Sequence, residues 1–563
     1  MLKTTNFASN FASLAVIAAC LSISPRNGDA QTSQPLKHAG GPTAGAITAA
    51  DAMTRVYIFA DDSMMGRRSG TAGGLKGTAY IEREVRRLGL VPAGDNGTFF
   101  QAVPLYTRSF DTSSLLAAGT TPVTGGKDYY PLHPGGATRP VDGAQIIFAG
   151  NSADPTNLIP AAQAVGKVVL VAGPPAGVSA RYPGAAAFMV VVAEPVLPQL
   201  RRAVMSEATL MKSDADTVSN PLTIALPAAS VAMFLGVPVA NARPGTLGST
   251  LKGEIRFKTV DAPARNVVAL LPGSDARLRG QYVAIGAHND HIGTRAAGPL
   301  DHDSVRAFNA MAARIYIART KQLPGFPGSG ITPAERASIV VNVDSLRRSR
   351  PARLDSINNG ADDDGSGTVA VLEMAEMFAA ARVKPKRSLL FVWHAGEELG
   401  LFGSEYFTDH PTVARDSIVA QLNVDMIGRG QAADLPGGNP GYLQLIGSRR
   451  LSTELGDMVE SVNRTGRHGF TFDYAFDADG HPENYYCRSD HYEYARYGIP
   501  VVFMSTGGHV DYHQITDEPQ YVNYPHLTRV TKLMADLATR VANLDHRVVV
   551  DKTKPDPKGE CQQ

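Results

Sequence analysis

The sequence is poor in cysteine, with 3 in 563 residues, and it holds a single tryptophan. Three thiols cannot build a disulfide scaffold, and no Cys-x-x-Cys pair marks a structural zinc site. Neither charge is in surplus: 54 Lys and Arg face 53 Asp and Glu, for a net charge of +1. So balanced a chain has no broad field to attract polyanions, which argues against nucleic acid or an anionic membrane surface as partner. Long apolar runs are missing too. The stretch Phe11 to Ile23 is too short to span a bilayer and, with Lys3 ahead of it, fits the h-region of a secretory signal peptide over residues 1–30. Gly28 and Ala30 offer cleavage before Gln31; the alternative reading is a lipobox, Ile17-Ala18-Ala19-Cys20, with a lipid anchor on Cys20. The expectation is an exported protein, periplasmic or secreted, with no stable membrane span. Cys487 and Cys561 are able to pair in such an oxidising compartment.

Glycine and proline, at 55 and 37, are plentiful, and the length predicts two to four domains of about 100 to 200 residues. Helical spacing over Ala46–Phe59 and Gly74–Leu88, the second closed by Arg86-Arg87-Leu88-Gly89, opens the mature chain. Residues 110–260 change to short β-rich runs, such as Gln145 to Phe148 and Lys167 to Val171, between Gly/Pro turns, with few histidines or paired acids. From Asn266 onward apolar runs (Val267–Leu271, Tyr282–Ile285, Ser388–Trp393, Ile418–Val424, Ile499–Met504) alternate with helical stretches such as Gly367–Arg382. That pattern predicts an α/β fold with a mixed, mainly parallel central sheet covered by helices. A polar, Arg-rich insertion over residues 296–357, with Pro324, Pro327 and Pro333 and helices near 303–320 and 333–346, reads either as a lid or as a solvated excursion. Its Asp301-His302-Asp303 reads as a solvated turn rather than a metal site. The polar tail, 546–563, reads as mobile.

The chemistry lies after the strands. Tyr282–Ile285 runs into His288, Asp290 and His291; Leu389–Trp393 into His394, Glu397 and Glu398; Ile418–Val424 into Asp425; and Ile499–Met504 leads to Tyr512 and His513. Ligands of open α/β sheets bind outside the carboxyl ends of the strands, so four runs deliver His and carboxylate groups to one edge. Asn359-Gly-Ala-Asp362-Asp363-Asp364-Gly adds a fifth element. Three adjacent acids suit a solvated loop, a helix N-terminus or a calcium loop, although the spacing is not that of an EF-hand. Beside histidines from other strands, a bridging carboxylate is the simpler account. Glu397 and Glu398 follow a nearly all-apolar strand, where a charged group needs a partner or a metal. The combined pattern points to metal-assisted hydrolysis.

The stretches GAHNDHIG (286–293), NNGADDDGSG (358–367), WHAGEELGLFGSEYF (393–407), NVDMIGR (423–429), SDHYEYARYGIP (489–500) and DYHQITDEP (511–519) resemble, in order, those of family 28 metallopeptidases, co-catalytic zinc exopeptidases that include secreted bacterial aminopeptidases. The resemblance implies the zinc-exopeptidase (phosphorylase/hydrolase-like) fold, a catalytic domain over 263–545, two zinc ions per chain and peptide substrates. It makes His288 and Asp425 ligands of one zinc, Glu398 and His513 ligands of the other, and Asp363 the bridge. Asp290 becomes the partner that orients His288, and Glu397 the general base acting on metal-activated water. Tyr512 matches an oxyanion-stabilising position, its alternative being an aromatic packing residue. His291, His394, His491 and His509 take supporting or packing roles. Asp61-Asp62-Ser63-Met64-Met65-Gly66-Arg67 resembles the N-terminal part of such enzymes, placing 46–109 in the same domain. The 110–260 insert then resembles a protease-associated domain. Relatives on this scaffold also include carboxypeptidases, dipeptidases, glutaminyl cyclases and non-catalytic receptor-like binding proteins; the last would lack ligands or base, and here none is missing.

Overall fold

The structure, a computed structural model, describes residues 34–563 except 176, 213–218, 297, 299–300, 323–325, 350 and 436. The expected signal peptide, 1–30, and Cys20 lie outside the described residues. Nine strands form the main sheet: β1 (Val91–Pro92), β2 (Phe100–Val103), β3 (Ala264–Leu271), β4 (Tyr282–His288), β5 (Ser388–His394), β6 (Ile418–Val424), β7 (Tyr442–Ile446), β8 (Thr471–Asp473) and β9 (Val501–Ser505). Their order is β1-β3-β5-β4-β6-β9-β7-β8, with β2 also on β3. The central four, β5-β4-β6-β9, are parallel, while β3 and β7 flank them antiparallel. All four central carboxyl ends therefore open on one edge.

Both faces are buried, which is why these strands read as continuous apolar runs. Leu389, Phe391 and Trp393 of β5 enter one core, and Leu390 and Val392 the opposite one. The lone tryptophan, Trp393, donates its indole N–H to the Thr368 carbonyl at 3.1 Å. Over the first core pack α1 (Ala49–Phe59), α2 (Ala72–Arg87), α4 (Gly365–Ala380) and α5 (Tyr524–Ala542). Buried Arg55 of α1 ties the opening segment to the rest: its Nε lies 2.8 Å from Glu373 of α4 and its Nη1 2.9 Å from Glu84 of α2.

The chain leaves this layer through Leu105–Phe110 and returns through Phe257–Asp261, two strands paired antiparallel from Phe110 opposite Phe257 to Tyr106 opposite Asp261. Between them lies an inserted β-rich domain built on an eight-stranded sheet with an apolar cluster on each face.

The 296–357 insertion carries α3 (His302–Thr320) and the short helices Pro333–Ser338 and Val343–Ser349. Its ends are drawn together by hydrogen bonds from Arg295 N to Ser356 O (2.8 Å) and from His302 N to Arg353 O (3.1 Å). It is not a solvated excursion, because it lies against the loop after β9. Nor is Asp301-His302-Asp303 a solvated turn: Asp301 caps α3 through Ser304 N, and His302 is fully buried, its ring 6.0 Å from Tyr521. The tail expected to be mobile is tied down. Cys561 forms a disulfide with Cys487, and Gln563 accepts from Tyr486 N at 2.9 Å. Local polarity signalled freedom in both cases; long-range partners decided otherwise. Among the described residues no helix is long and apolar enough to cross a membrane.

Candidate metal centre

The acidic loop gives its three carboxylates three different tasks. Asp364 caps α4, its Oδ1 accepting from Gly367 N (2.8 Å) and Met426 N (3.2 Å) and its Oδ2 from His288 N (3.2 Å). Asp362 accepts from Gly428 N at 2.6 Å and faces His509 at 3.2 Å. Asp363 alone points outward from the loop. Its Oδ1 lies 3.2 Å from His288 Nε2 and its Oδ2 3.1 Å from His513 Nε2, so each oxygen addresses a different histidine.

Around those oxygens the other predicted residues converge. Asp425 Oδ1 lies 3.5 Å from His288 Nε2, while its Oδ2 accepts from Ser489 at 2.9 Å. Glu398 Oε2 is 2.9 Å from His513 Nε2. Glu397 Oε2 reaches to 3.9 Å from His288 Nε2. The glutamates diverge because a turn starts at Gly396, whose φ of +74° and close neighbour Phe402 both favour glycine. Tyr512 lines the same cavity of about 500 Å³, with Phe326 of the insertion stacked on its ring at 5.6 Å. Asp290 differs from its expected role. His288 Nδ1 contacts the Asp290 backbone carbonyl at 3.1 Å, whereas the carboxylate stands 3.8 Å away and accepts from Glu397 N at 3.2 Å. Its side chain thus holds the Glu397 turn more directly than the imidazole.

Three participants carried no individual role in the sequence reading. His291, expected in a supporting role, places Nδ1 2.7 Å from Glu398 Oε1 and 3.7 Å from Asp363 Oδ2, within reach of a metal ligand set. Fully buried Arg67 donates to the carbonyls of Asn289 (3.3 Å) and Gly360 (2.8 Å), lashing the loop after β4 to the acidic loop. Asp517 accepts from Asp362 N and Asp363 N, each at 3.0 Å, and pairs with Arg429 at 3.3 Å. Arg67 and Asp517 lie within the recognised motifs, but their partners are 88 to 293 residues away.

The electrostatics separate the carboxyls. Burial pushes Glu397 well above the usual carboxylate range, against the pull of His288. Burial and Asp363 act the same way on Glu398, yet hydrogen bonds with His291 and His513 hold it below that range. Burial opposes protonation of His513, but Asp363 and Glu398 raise its pKa to about 10. Burial first, then Asp363 and Glu398, raises the Tyr512 hydroxyl well above its ordinary value, keeping it a proton donor.

A metal pair suits this donor set. Asp425 Oδ1 is buried without a hydrogen bond, and divalent cations would neutralise the buried carboxylates in place of the proton on His513. His288, Asp363 and Asp425 form one group of ligand atoms within 4.8 Å of each other, and His291, Asp363 and Glu398 a second that shares Asp363.

The sequence profile of peptidase family M28 matches residues 333–538. Leupeptin-inactivating enzyme 1 of Streptomyces exfoliatus is 32% identical over 159 residues, 28% of this chain and 32% of that protein. Leucine aminopeptidase 1 of Aspergillus fumigatus is 30% identical over 196 residues, 32% of this chain and 47% of that one. The chain thus spans about a third to a half of the length of these curated relatives. Among solved structures, an aminopeptidase from Aneurinibacillus sp. strain AM-1 superposes with a TM-score of 0.47 at 16% identity, over 90% of this chain and 97% of that one. The α/β fold and the clustered His and carboxylate groups accord with that profile match. Over residues 333–538 the chain is similar to peptidase family M28, and Asp363, Glu397, Glu398, Asp425 and His513 lie within that stretch.

Proposed function

We propose that the chain is a two-zinc exopeptidase, an aminopeptidase that removes N-terminal residues from peptides. The observation that carries this reading is Asp363, whose two oxygens face His288 and His513 separately, with Glu397 at the cavity wall beside them. With His288 and Asp425 on one side and Glu398 and His513 on the other, Asp363 would help hold a metal pair, which when bound would supply Lewis acidity to a carbonyl and to water. Glu397 accepts the proton of the attacking water and returns it to the leaving amine. Asp290 fixes the Glu397 backbone through its N–H, and Asp425 and Glu398 orient the histidines. Tyr512 donates its hydroxyl to the developing oxyanion. The leucine aminopeptidase name of a relative supports the aminopeptidase assignment.

One feature favours a second reading. Arg488 lines the cavity with Nη2 3.3 Å from the Tyr512 hydroxyl, a cation suited to a substrate carboxylate, as in carboxypeptidase or dipeptidase action. Zinc content measured alongside hydrolysis of free and N-acetylated aminoacyl-nitroanilides, before and after chelation, decides between them. The aminopeptidase reading expects about two zincs at this centre and turnover of free amino termini only; turnover confined to peptides with a free carboxyl end would replace it.

The inserted β-rich domain, the expected protease-associated module, governs access: its Met211 packs against the buried cluster of Leu105, Ala262 and Ala395 on which Leu399 and Phe402 also pack. The Cys487–Cys561 disulfide supports export to an oxidising compartment.

A further inference from the structure

We propose that the chain carries an additional metal site, for a divalent transition ion such as zinc, formed by His302, Asp355 and Glu518 where the 296–357 insertion meets the loop after His513. None of these residues belongs to the catalytic set described above. His302 is fully buried, and its Nε2 makes no hydrogen bond. It faces Glu518 Oε1 at 3.6 Å, beyond hydrogen-bond range. Two ligands at about 2.0 to 2.1 Å from a tetrahedral zinc lie roughly 3.4 Å apart, so this separation fits an ion held between them. One ligand atom from each of His302, Asp355 and Glu518 falls within 4.8 Å of the others.

The surroundings agree. His302 Nδ1 lies 3.4 Å from Asp303 Oδ1, the imidazole–carboxylate pairing that turns the other ring nitrogen's lone pair toward a metal. Burial, followed by nearby Arg353, lowers the His302 pKa to about 4, so the ring is neutral and ready to ligate. Asp355 and Glu518 open on a groove of about 1330 Å³ that Asp61 and Asp62 also line, giving a cation an acidic route inward. Arg353 competes for the site, its Nη1 standing 3.6 Å from the same Glu518 oxygen. An ion here would join three distant segments: the head of α3, the returning end of the insertion and the residue five positions after His513.

The test is zinc per chain by elemental analysis of the full-length protein, loaded with zinc and then desalted. With two zincs at the catalytic centre, wild type should retain about three equivalents and His302→Ala about two. Asp363→Asn, which removes the catalytic bridge, should retain about one, and the double variant close to none. Equal zinc in wild type and His302→Ala overturns the proposal. Asp363→Asn reports on the catalytic centre alone, so the two readings fail separately. Should His302→Ala not fold, Asp355→Asn must lose the same equivalent. Arg353→Met should hold that equivalent more tightly, and weaker retention in this variant would also count against the site.

Discussion

Glu397 and Glu398 are neighbours in sequence with opposite electrostatics. Burial dominates for Glu397 and favours its proton; imidazole partners dominate for Glu398 and favour its charge. Such divergence separates an acid–base group from a ligand. Glu397→Gln should keep wild-type zinc and lose about 10²- to 10⁴-fold in kcat, measured on an aminoacyl-nitroanilide together with metal content. Near-normal turnover would remove Glu397 from the chemistry. His491 makes a contrasting case. It is fully buried, its ring 4.6 Å from Phe503, and burial lowers its pKa to about 3 against an ordinary 6.5. The folded state therefore holds it neutral while the unfolded state takes up a proton. Its contribution to stability is complete above pH 6.5 and is lost progressively as pH falls toward 3. Between those limits the cost approaches about 1.4 kcal/mol per pH unit. His491→Phe keeps the ring stacking and should flatten the acid side of the stability profile by up to that slope, read by urea unfolding at pH 5 and pH 7. An unchanged slope would mean that the imidazole is protonated in the fold.

At the scale of elements, the loop after β9 needs support. His513 has a φ of +55°, a left-handed conformation unfavourable for a non-glycine residue and held only where neighbours enforce it. The enforcement centres on buried Asp511, which pairs with Arg429 at 3.0 Å, accepts from Thr516 at 2.8 Å and receives Arg306 of α3 at 3.0 Å. The insertion thus braces the loop with Arg306 and covers it with half-exposed Phe326, stacked on Tyr512. The two contacts predict different kinetics. Arg306→Ala should lower kcat about tenfold with little change in KM, because a displaced His513 misaligns the chemistry. Phe326→Ala should chiefly raise KM for substrates with large apolar end residues. Identical profiles for the two variants would mean that the insertion acts only as a structural prop. None of this was legible beforehand. Arg306 looked like one of many surface arginines on a polar helix, and its acceptor lies 205 residues away. The candidate site, Asp363 apart, was legible because its members follow strands buried on both faces, and such strands announce themselves as unbroken apolar runs ending at one edge.

Across the whole molecule the same distinction holds. The central strands and the helix after the acidic loop were visible from local pattern; β7, the edge strand β8 and the fixed tail depend on partners far along the chain and were not. Discontinuity was readable through the resemblance of Asp61–Arg67 and Gly89–Gly94, and the structure supplies its physical basis in Arg55, which joins α1 to α4. A chain that leaves a layer and returns beside its own exit strand has its domain ends already together. Phe110 and Phe257 are paired neighbours, so a two-residue Asn-Gly turn could replace residues 111–256 without moving either strand. The inserted domain has two apolar clusters of its own, so its removal leaves the main cores intact. What would be lost is the strand Ala208–Met211 along Leu105–Arg108 and the packing of Met211 on the cluster of Leu105, Ala262 and Ala395. The shortened protein should therefore fold, retain zinc at the catalytic centre and hydrolyse small aminoacyl-nitroanilides within about an order of magnitude of the full chain, while its preference among longer peptides changes. If it folds, by circular dichroism, but binds no zinc at that centre, the Glu397–Leu399 turn depends on the inserted domain for its shape, and that domain is part of the active centre rather than a gate beside it.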